Sequence, residues 1–413
     1  MTIKNSKFYQ IFSISDFRNF WIVQICTLLA MQFYFLTLSW LTIDITGSTA
    51  ILGTLLTLSA IPRLLITPIG GVIFDQVSPK SFLNMTLSVL TVFTMLFTVI
   101  IYFFQIQVWM LILFAVFFGI TSALFLPVVF ALIPKIVPES HLQSANSFSQ
   151  ISMQMSNTIG PALSGILLSL YGATFVYGTM SVLFLISWFF IFLLSKNTKH
   201  KETANNKFTF KKVYEDIVGG FKVVYKIKVV MILLIISAIL NLSIIGPQQI
   251  GLPYIAHGIT ENGAETLGFL MSSLGMGTLV GVLFVNLLNR FKNKFLLTLI
   301  ITILLGLFWS LVGIFSDQLT ILSALLFMSG MLIGGLNVLI VTVLQLNSPA
   351  DAMGRIMSLQ LLSSTGIQPI TFLIVGSILG VISVELLFLF CGAVLIMTAL
   401  LTLFNQDIRK SIS

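Results

Sequence analysis

Charged residues are scarce in this chain of 413 residues, where Asp, Glu, Lys and Arg make up 8% and hydrophobic residues 57%. A soluble globular protein carries about 25% charged residues, so water cannot be the main solvent of this chain. Its 21 bases outnumber its 13 acids, for a formal net charge of +8. In so apolar a chain, this excess indicates membrane orientation and attraction to anionic lipid, and it gives no warrant for nucleic-acid binding.

Cysteine and histidine are also rare. Cys26 and Cys391 lie in different apolar runs with no second sulfur ligand nearby, which predicts small core residues and neither a disulfide framework nor a metal site. His141, His200 and His257 fall in separate loops, and the sequence has no glycine-rich nucleotide-binding motif. The sequence therefore predicts no enzyme, no cofactor and no ATP-driven pump.

The bases that are present alternate along the chain. Apart from Arg63, they lie at the termini or in every second gap between long apolar runs. The intervening gaps contain no base and hold the acids Asp44, Glu261, Glu265, Asp317 and Glu385. Because loops rich in Lys and Arg stay in the cytoplasm, this pattern predicts a multi-pass membrane protein with both termini cytoplasmic.

The apolar runs are long enough to cross a bilayer, which takes roughly 20 residues. They predict an all-α membrane protein with about twelve transmembrane helices. These predicted spans, numbered 1 to 12 in chain order, are Asn19 to Ile43, Ala50 to Phe74, Phe82 to Phe104, Val108 to Ile133, Phe148 to Leu170, Thr174 to Leu194, Val229 to Ile250, Thr266 to Leu288, Phe295 to Phe315, Leu319 to Leu344, Ile356 to Ile382 and Leu386 to Phe404.

One long polar interruption divides the spans into six and six. It predicts an N-terminal six-helix half over residues 1–195, a cytoplasmic linker over 196–228 and a C-terminal six-helix half over 229–413. The second part of the linker, Phe208 to Lys228, has apolar residues at helical spacing opposite its bases. This pattern predicts an amphipathic helix on the inner membrane surface rather than a plain connector.

The two halves also repeat each other. The following pairs are each 211 positions apart: Asp75 and Asn286, Pro138 and Pro349, Ser147 and Ser358. We therefore expect two pseudo-symmetric versions of one fold. Many secondary transporters are built from such repeats, with a binding site near the bilayer midplane.

The connection between spans 2 and 3 carries a motif that points to a family. The major facilitator superfamily has Gly-x-x-x-Asp-Arg-x-Gly at this place, followed by bases. Here Gly71 and Asp75 match and Lys80 supplies a later base, while Gln76 and Ser78 replace the Arg and the second Gly. With its spans, central loop and repeat, the whole chain resembles this superfamily, which implies the major facilitator fold.

Span 5 and three further segments narrow the resemblance. Gly160, Pro161 and Gly165 resemble the Gly-Pro-x-x-Gly-Gly element of the twelve-span drug:proton antiporters, with Ser164 in place of one Gly. Macrolide exporters and enterobactin-type siderophore exporters are similar to this chain in three segments: Trp40 with Thr46 to Ser48, Leu132 to Glu139 with Ala145 to Ser147, and Gly354 to Ser358 including Arg355. That branch often has an Arg in span 4, which is absent here from Phe117 to Thr121.

The resemblance implies a proton-driven exporter of small amphiphilic compounds in a bacterial plasma membrane, acting as a monomer with H⁺ as coupling ion. Gly71 is expected to let two helices approach, and Asp75 to favour the positive N-terminal end of a neighbouring helix such as span 11 near Gly354. Gly160 and Pro161 permit a bend in span 5. The alternative for these two residues is a kink of the kind tolerated in any membrane helix.

Polar residues in positions that lipid would not accept form the predicted substrate surface. The candidates are Gln150, Gln154 and Asn157 of span 5, Gln360, Ser364 and Gln368 of span 11, Gln24 and Gln32 of span 1, and Asn241, Gln248 and Gln249 of span 7. Asn157 and Gln368 are again 211 positions apart. The alternative is interhelical hydrogen bonding that only holds the bundle together.

Arg63 is the one base within a span. It precedes Asp75 by twelve residues, which places it roughly 18 Å along the helix and near the middle of the membrane. A charge there costs about 2.5 to 3.5 kcal/mol, so it should face water, a partner or a ligand. We expect either an anchor for an anion or carbonyl in the cavity, or a structural Arg that donates to carbonyls exposed by Pro62 or Pro68.

No acid is placed at the midplane to neutralise a cationic cargo, which favours a neutral or anionic amphiphile as the small-molecule substrate. Membrane lipid is the other expected partner. Within transport, the alternative is a lysophospholipid or lipid-anchor flippase of the same fold. The alternative outside transport is a membrane sensor, which would have the same fold but would not need the polar stripes.

Overall fold

The computed structural model describes residues 11–123 except 77, 125–194, 224–225, 227–259, 262–285, 291, 293–349 and 352–404. All elements in this part of the chain are helical. In the first half of the chain the helices are Ser15–Thr46 (span 1), Thr49–Gln76 (span 2), Pro79–Phe103 (span 3), Val108–Ser122 and Phe125–Ile136 (span 4), and Leu142–Phe192 (spans 5 and 6).

In the second half of the chain, two spans are interrupted by π-helical turns. Span 7 consists of Lys228–Gly246, the π turn Pro247–Gly251 and Leu252–Ile259; span 11 consists of Met353–Leu361, the π turn Leu362–Gly366 and Gln368–Ile378. The other spans are Gly263–Phe284 (span 8), Lys294–Ile314 (span 9), Leu319–Asn347 (span 10) and Val384–Phe404 (span 12).

Eleven helical stretches in the described residues are long and apolar enough to cross a membrane. One of them, from Glu139 to Phe192, has 54 residues and is too long for a single crossing. It contains Gly172, whose φ of 78° breaks the helical path and separates span 5 from span 6. The prediction of an all-α membrane protein with about twelve spans is confirmed. The predicted amphipathic helix Phe208 to Lys228 falls almost entirely outside the described residues.

The chain groups into two compact units. The first comprises Met1–Thr46 and Leu58–Lys207, and the second comprises Gly47–Thr57 and Phe208–Ser413. The beginning of span 2 therefore belongs to the second unit, where it packs on span 11. The Thr49 hydroxyl donates to the carbonyl of Gly376 at 3.0 Å, and the Thr57 hydroxyl donates to the carbonyl of Pro369 at 3.1 Å.

An aromatic cluster fills the first unit around span 4. Phe118 stacks on Tyr34 of span 1 with ring centroids 3.8 Å apart, and Phe117 stacks on Phe93 of span 3 at the same distance. These phenylalanines lie in the stretch of span 4 where macrolide exporters and enterobactin-type siderophore exporters often have an Arg. Here the stretch contributes apolar packing, because aromatic stacking and burial stabilise it without a buried charge.

Candidate functional site

Spans 1 and 5 are joined by an amide that is hydrogen-bonded at both its nitrogen and its oxygen. The Gln24 side chain is 1% exposed. Its Nε2 donates to the Ser149 carbonyl at 3.4 Å, and its Oε1 accepts from the Ser149 hydroxyl at 2.7 Å. Both ends of the amide are therefore engaged inside the helix pair, and we leave Gln24 out of the proposed substrate-binding set.

Spans 7 and 11 are also joined by a glutamine and a serine, but here the pair belongs to a larger polar cluster. Gln360 donates from Nε2 to the Ser237 hydroxyl at 2.8 Å. Asn241 donates to the Ser237 carbonyl at 2.8 Å, and the Ser364 hydroxyl donates to the Gln360 carbonyl at 3.0 Å. These four residues form one polar cluster, and the three predicted members, Asn241, Gln360 and Ser364, are all half-buried. Ser237 was not predicted, because a single buried serine gives no signal in the sequence.

A second polar pair lies further along spans 1 and 5. Gln32 donates from Nε2 to Asn157 Oδ1 at 2.5 Å. Gln32 is half-buried and Asn157 is exposed. Gly160 makes the approach possible, because a Cβ on Gly160 would come within 2.6 Å of the Gln32 Cβ. Pro161 and Gly165 are buried beside it, so this predicted motif gives span 5 a close packing surface against span 1.

The remaining predicted polar residues of the two stripes are more accessible. Gln150 is exposed, while Gln154 and Gln368 are half-buried. Gln154 takes part in an interaction within the protein. Gln150, Gln154 and Asn157 share one side of span 5, as expected for residues three and four positions apart.

The π turns of spans 7 and 11 were not predicted. Pro247 begins the first of them, and its missing N–H leaves the carbonyl of Ser243 without its helical donor. Trp309 of span 9 supplies that donor from Nε1 at 3.0 Å. The repeat-related stretches of spans 1 and 5 lie within uninterrupted α-helix. Because π turns are frequent at functional sites, they mark spans 7 and 11 as candidates for substrate binding. In the sequence, the signal for these turns was the prolines at positions 247 and 369.

Arg63 is half-buried on span 2. One turn before it, the backbone of Ser59 packs so closely on span 4 that a Cβ on Gly119 would lie under 3.0 Å from Ser59 Cα. Arg63 therefore follows a tight helix crossing in the first unit. It takes part in an interaction within the protein, which is compatible with either expected role.

The residues of the predicted conformational motif are only partly described. Lys80 donates from Nζ to the carbonyl of Leu194 at the end of span 6, where a cation is favoured by the helix dipole. Gly71 and Asp75 lie in the helix of span 2, and their surroundings fall outside the described residues. Arg355 is exposed in the first turn of span 11.

The role of Asp75 remains a prediction. Asp75→Asn should reduce transport severalfold while leaving membrane insertion intact, because the lost charge is expected to hold a helix-end contact in one state of the cycle. The measurement is transport per folded molecule, with Asp317→Asn as a control that removes an exposed acid from another gap. Normal transport by a well-expressed Asp75→Asn protein would remove that role.

In the described residues, the long apolar helices and the polar pairs between them define a multi-pass membrane protein. Residues 20–367 match the family model of the Major Facilitator Superfamily. The chain belongs to this superfamily, whose members handle small-molecule substrates.

Individual relatives agree with this membership. The chain is 26% identical to the uncharacterized MFS-type transporter YfiS of Bacillus subtilis over 367 residues, which cover 85% of this chain and 84% of that protein. It is 23% identical to the staphyloferrin A transporter of Staphylococcus aureus over 248 residues, 60% of each chain. Among solved structures, it is similar to a peptide transporter POT in complex with sulfate, with a TM-score of 0.71, 14% identity and 98% of both chains covered. That likeness shows the fold.

Proposed function

We propose that the protein is a secondary active exporter of small amphiphilic compounds, working by alternating access and driven by the proton gradient. The observation that carries the proposal is the pair Gln32 and Asn157. Asn157 is exposed near the middle of span 5, and an exposed polar side chain at that depth is costly in lipid. It is best explained by a water-filled cavity that these residues line.

The cargo we propose is neutral or anionic. In the described part of the chain, all acids lie at helix ends or in connections, namely Asp16, Asp44, Asp75, Glu139, Glu265, Asp317 and Glu385. A cation held at the middle of these spans would have no carboxylate to offset its desolvation. The resemblance to siderophore and macrolide exporters, together with the staphyloferrin A transporter among the relatives, supports a siderophore-like or macrolide-like compound.

The orientation we propose puts both termini and the linker in the cytoplasm, with the base distribution as its support. A cysteine introduced at Lys201, in a chain without Cys26 and Cys391, should resist an impermeant thiol reagent in intact cells. Labelling of that cysteine from outside would reverse the orientation and with it the assigned direction of transport.

Everted membrane vesicles test the transport reaction. With an acidified lumen, vesicles containing the protein should accumulate iron-free enterobactin or staphyloferrin A, and a protonophore should abolish the accumulation. The control is vesicles prepared in the same way from cells without the protein. Movement of lysophospholipid in place of these compounds would favour the flippase, and movement of none of them would favour the sensor.

A further inference from the structure

Spans 1 and 5 are joined by a hydrogen bond between a glutamine and a serine, and so are spans 7 and 11. The two residue types are exchanged between the helices of the second pair. In spans 1 and 5, a glutamine of the first helix bonds a serine of the second, Gln24 to Ser149. In spans 7 and 11, a serine of the first helix bonds a glutamine of the second, Ser237 to Gln360. Ser149 and Gln360 are 211 positions apart and so occupy the same place in the repeat.

The two motifs differ in how completely the amide is used. In the first pair both ends of Gln24 are bonded. In the second pair, Gln360 Oε1 is buried and, within the described part of the chain, has no hydrogen-bond partner. Burying an acceptor without a hydrogen-bond partner costs about 1–3 kcal/mol. A donor from outside the protein would remove this cost. The two helix pairs thus contain one closed amide and one open amide, carried by opposite helices of the repeated pair.

The surroundings of Gln360 hold its acceptor in place. Ser237 fixes the Nε2 end of the amide, and Asn241 in turn donates to the Ser237 backbone at 2.8 Å. The π turn Leu362–Gly366 begins two residues after Gln360. A π turn inserts one residue into the helical path, so the regular α-helical packing of span 11 is interrupted close to this amide.

We propose that Gln360 Oε1 accepts a hydrogen bond from a hydroxyl group of the transported compound. This inference rests on the proposed transport function and adds the class of substrate, an amphiphile that carries hydroxyl donors. Ser237 and Asn241 act as positioning residues that orient the amide. Gln24 has no part in recognition, because its amide is already satisfied.

The test uses iron-free enterobactin, whose catechols are donors, and its catechol-O-methylated derivative, which lacks those donors. Gln360→Met keeps a side chain of similar length and removes the acceptor, and Gln24→Met is the matched control. Gln360→Met should raise the Kd for enterobactin about three- to tenfold, the value of one hydrogen bond. The Kd for the methylated compound should not change. Gln24→Met should lower the melting temperature and leave both Kd values of the folded protein unaltered.

Three results would contradict the inference. An unchanged Kd in folded Gln360→Met would show that the oxygen meets only water, while the transport function stands. An equal loss in Gln24→Met would show that the effect is general loosening of the bundle. If Gln360→Met does not fold, Ser237→Ala releases the amide and should weaken enterobactin binding in the same selective way. Binding and transport of neither compound by the wild-type protein would contradict both the inference and the proposed cargo.

Discussion

Gly334→Ala should sharply lower the stability of the protein, whereas Gly335→Ala should leave it unchanged or slightly raised. The two glycines are neighbours on span 10, so the gain in helix propensity, about 1 kcal/mol, is the same for both. Their surroundings differ. A Cβ on Gly334 would lie under 3.0 Å from the Thr278 carbonyl oxygen of span 8, whereas a Cβ on Gly335 would have its nearest neighbour 4.0 Å away.

The expected loss at Gly334 is about 1–3 kcal/mol or more, because the added carbon meets backbone that cannot rotate away. The measurement is the melting temperature of the purified variants in one detergent. Gly281→Ala should behave like Gly334→Ala, since its Cβ would lie under 3.0 Å from the Met331 carbonyl oxygen. Equal melting temperatures for the Gly334 and Gly335 variants would show that spans 8 and 10 do not pack in this way.

This helix crossing illustrates what the sequence can and cannot predict. Gly277 and Gly281 on span 8, and Gly330 and Gly334 on span 10, have the small-xxx-small spacing of membrane helix interfaces. That spacing predicts a close approach for each helix. It does not say which helix is the partner, because the partner is set by tertiary packing. The structure pairs these two stripes, with the backbone of one at each glycine of the other.

The spans were predictable because burial in lipid imposes a long apolar run on each of them. The use of polar residues was less predictable. Gln24 and Gln360 look alike in the sequence, yet one amide is closed by Ser149 and the other is left with an open oxygen. Hydrogen bonding between spans depends on which hydroxyl lies at the same depth, and a serine inside an apolar run gives no signal of that.

Arg63 is expected to have the largest effect on binding of an anionic cargo. If it is the anchor, Arg63→Gln should raise the Kd for ferric enterobactin, which is anionic, by about tenfold or more, or roughly 1.4 kcal/mol. The Kd for the uncharged iron-free compound should change little. Arg63→Lys should retain part of the affinity, because it keeps the positive charge but loses the planar fork of donors.

The structural alternative gives a different pattern on the same purified variants. Arg63 follows the tight crossing of Ser59 and Gly119, so a role in packing predicts that Arg63→Lys and Arg63→Gln both lower the melting temperature, with Kd values per folded molecule unaltered. Arg18→Gln is the matched control, because it removes an equal charge from an exposed position at the start of span 1. A stable Arg63→Gln protein with an unchanged Kd for the ferric compound would end the anchor hypothesis. The cavity would then have to bind its cargo through neutral hydrogen bonds alone.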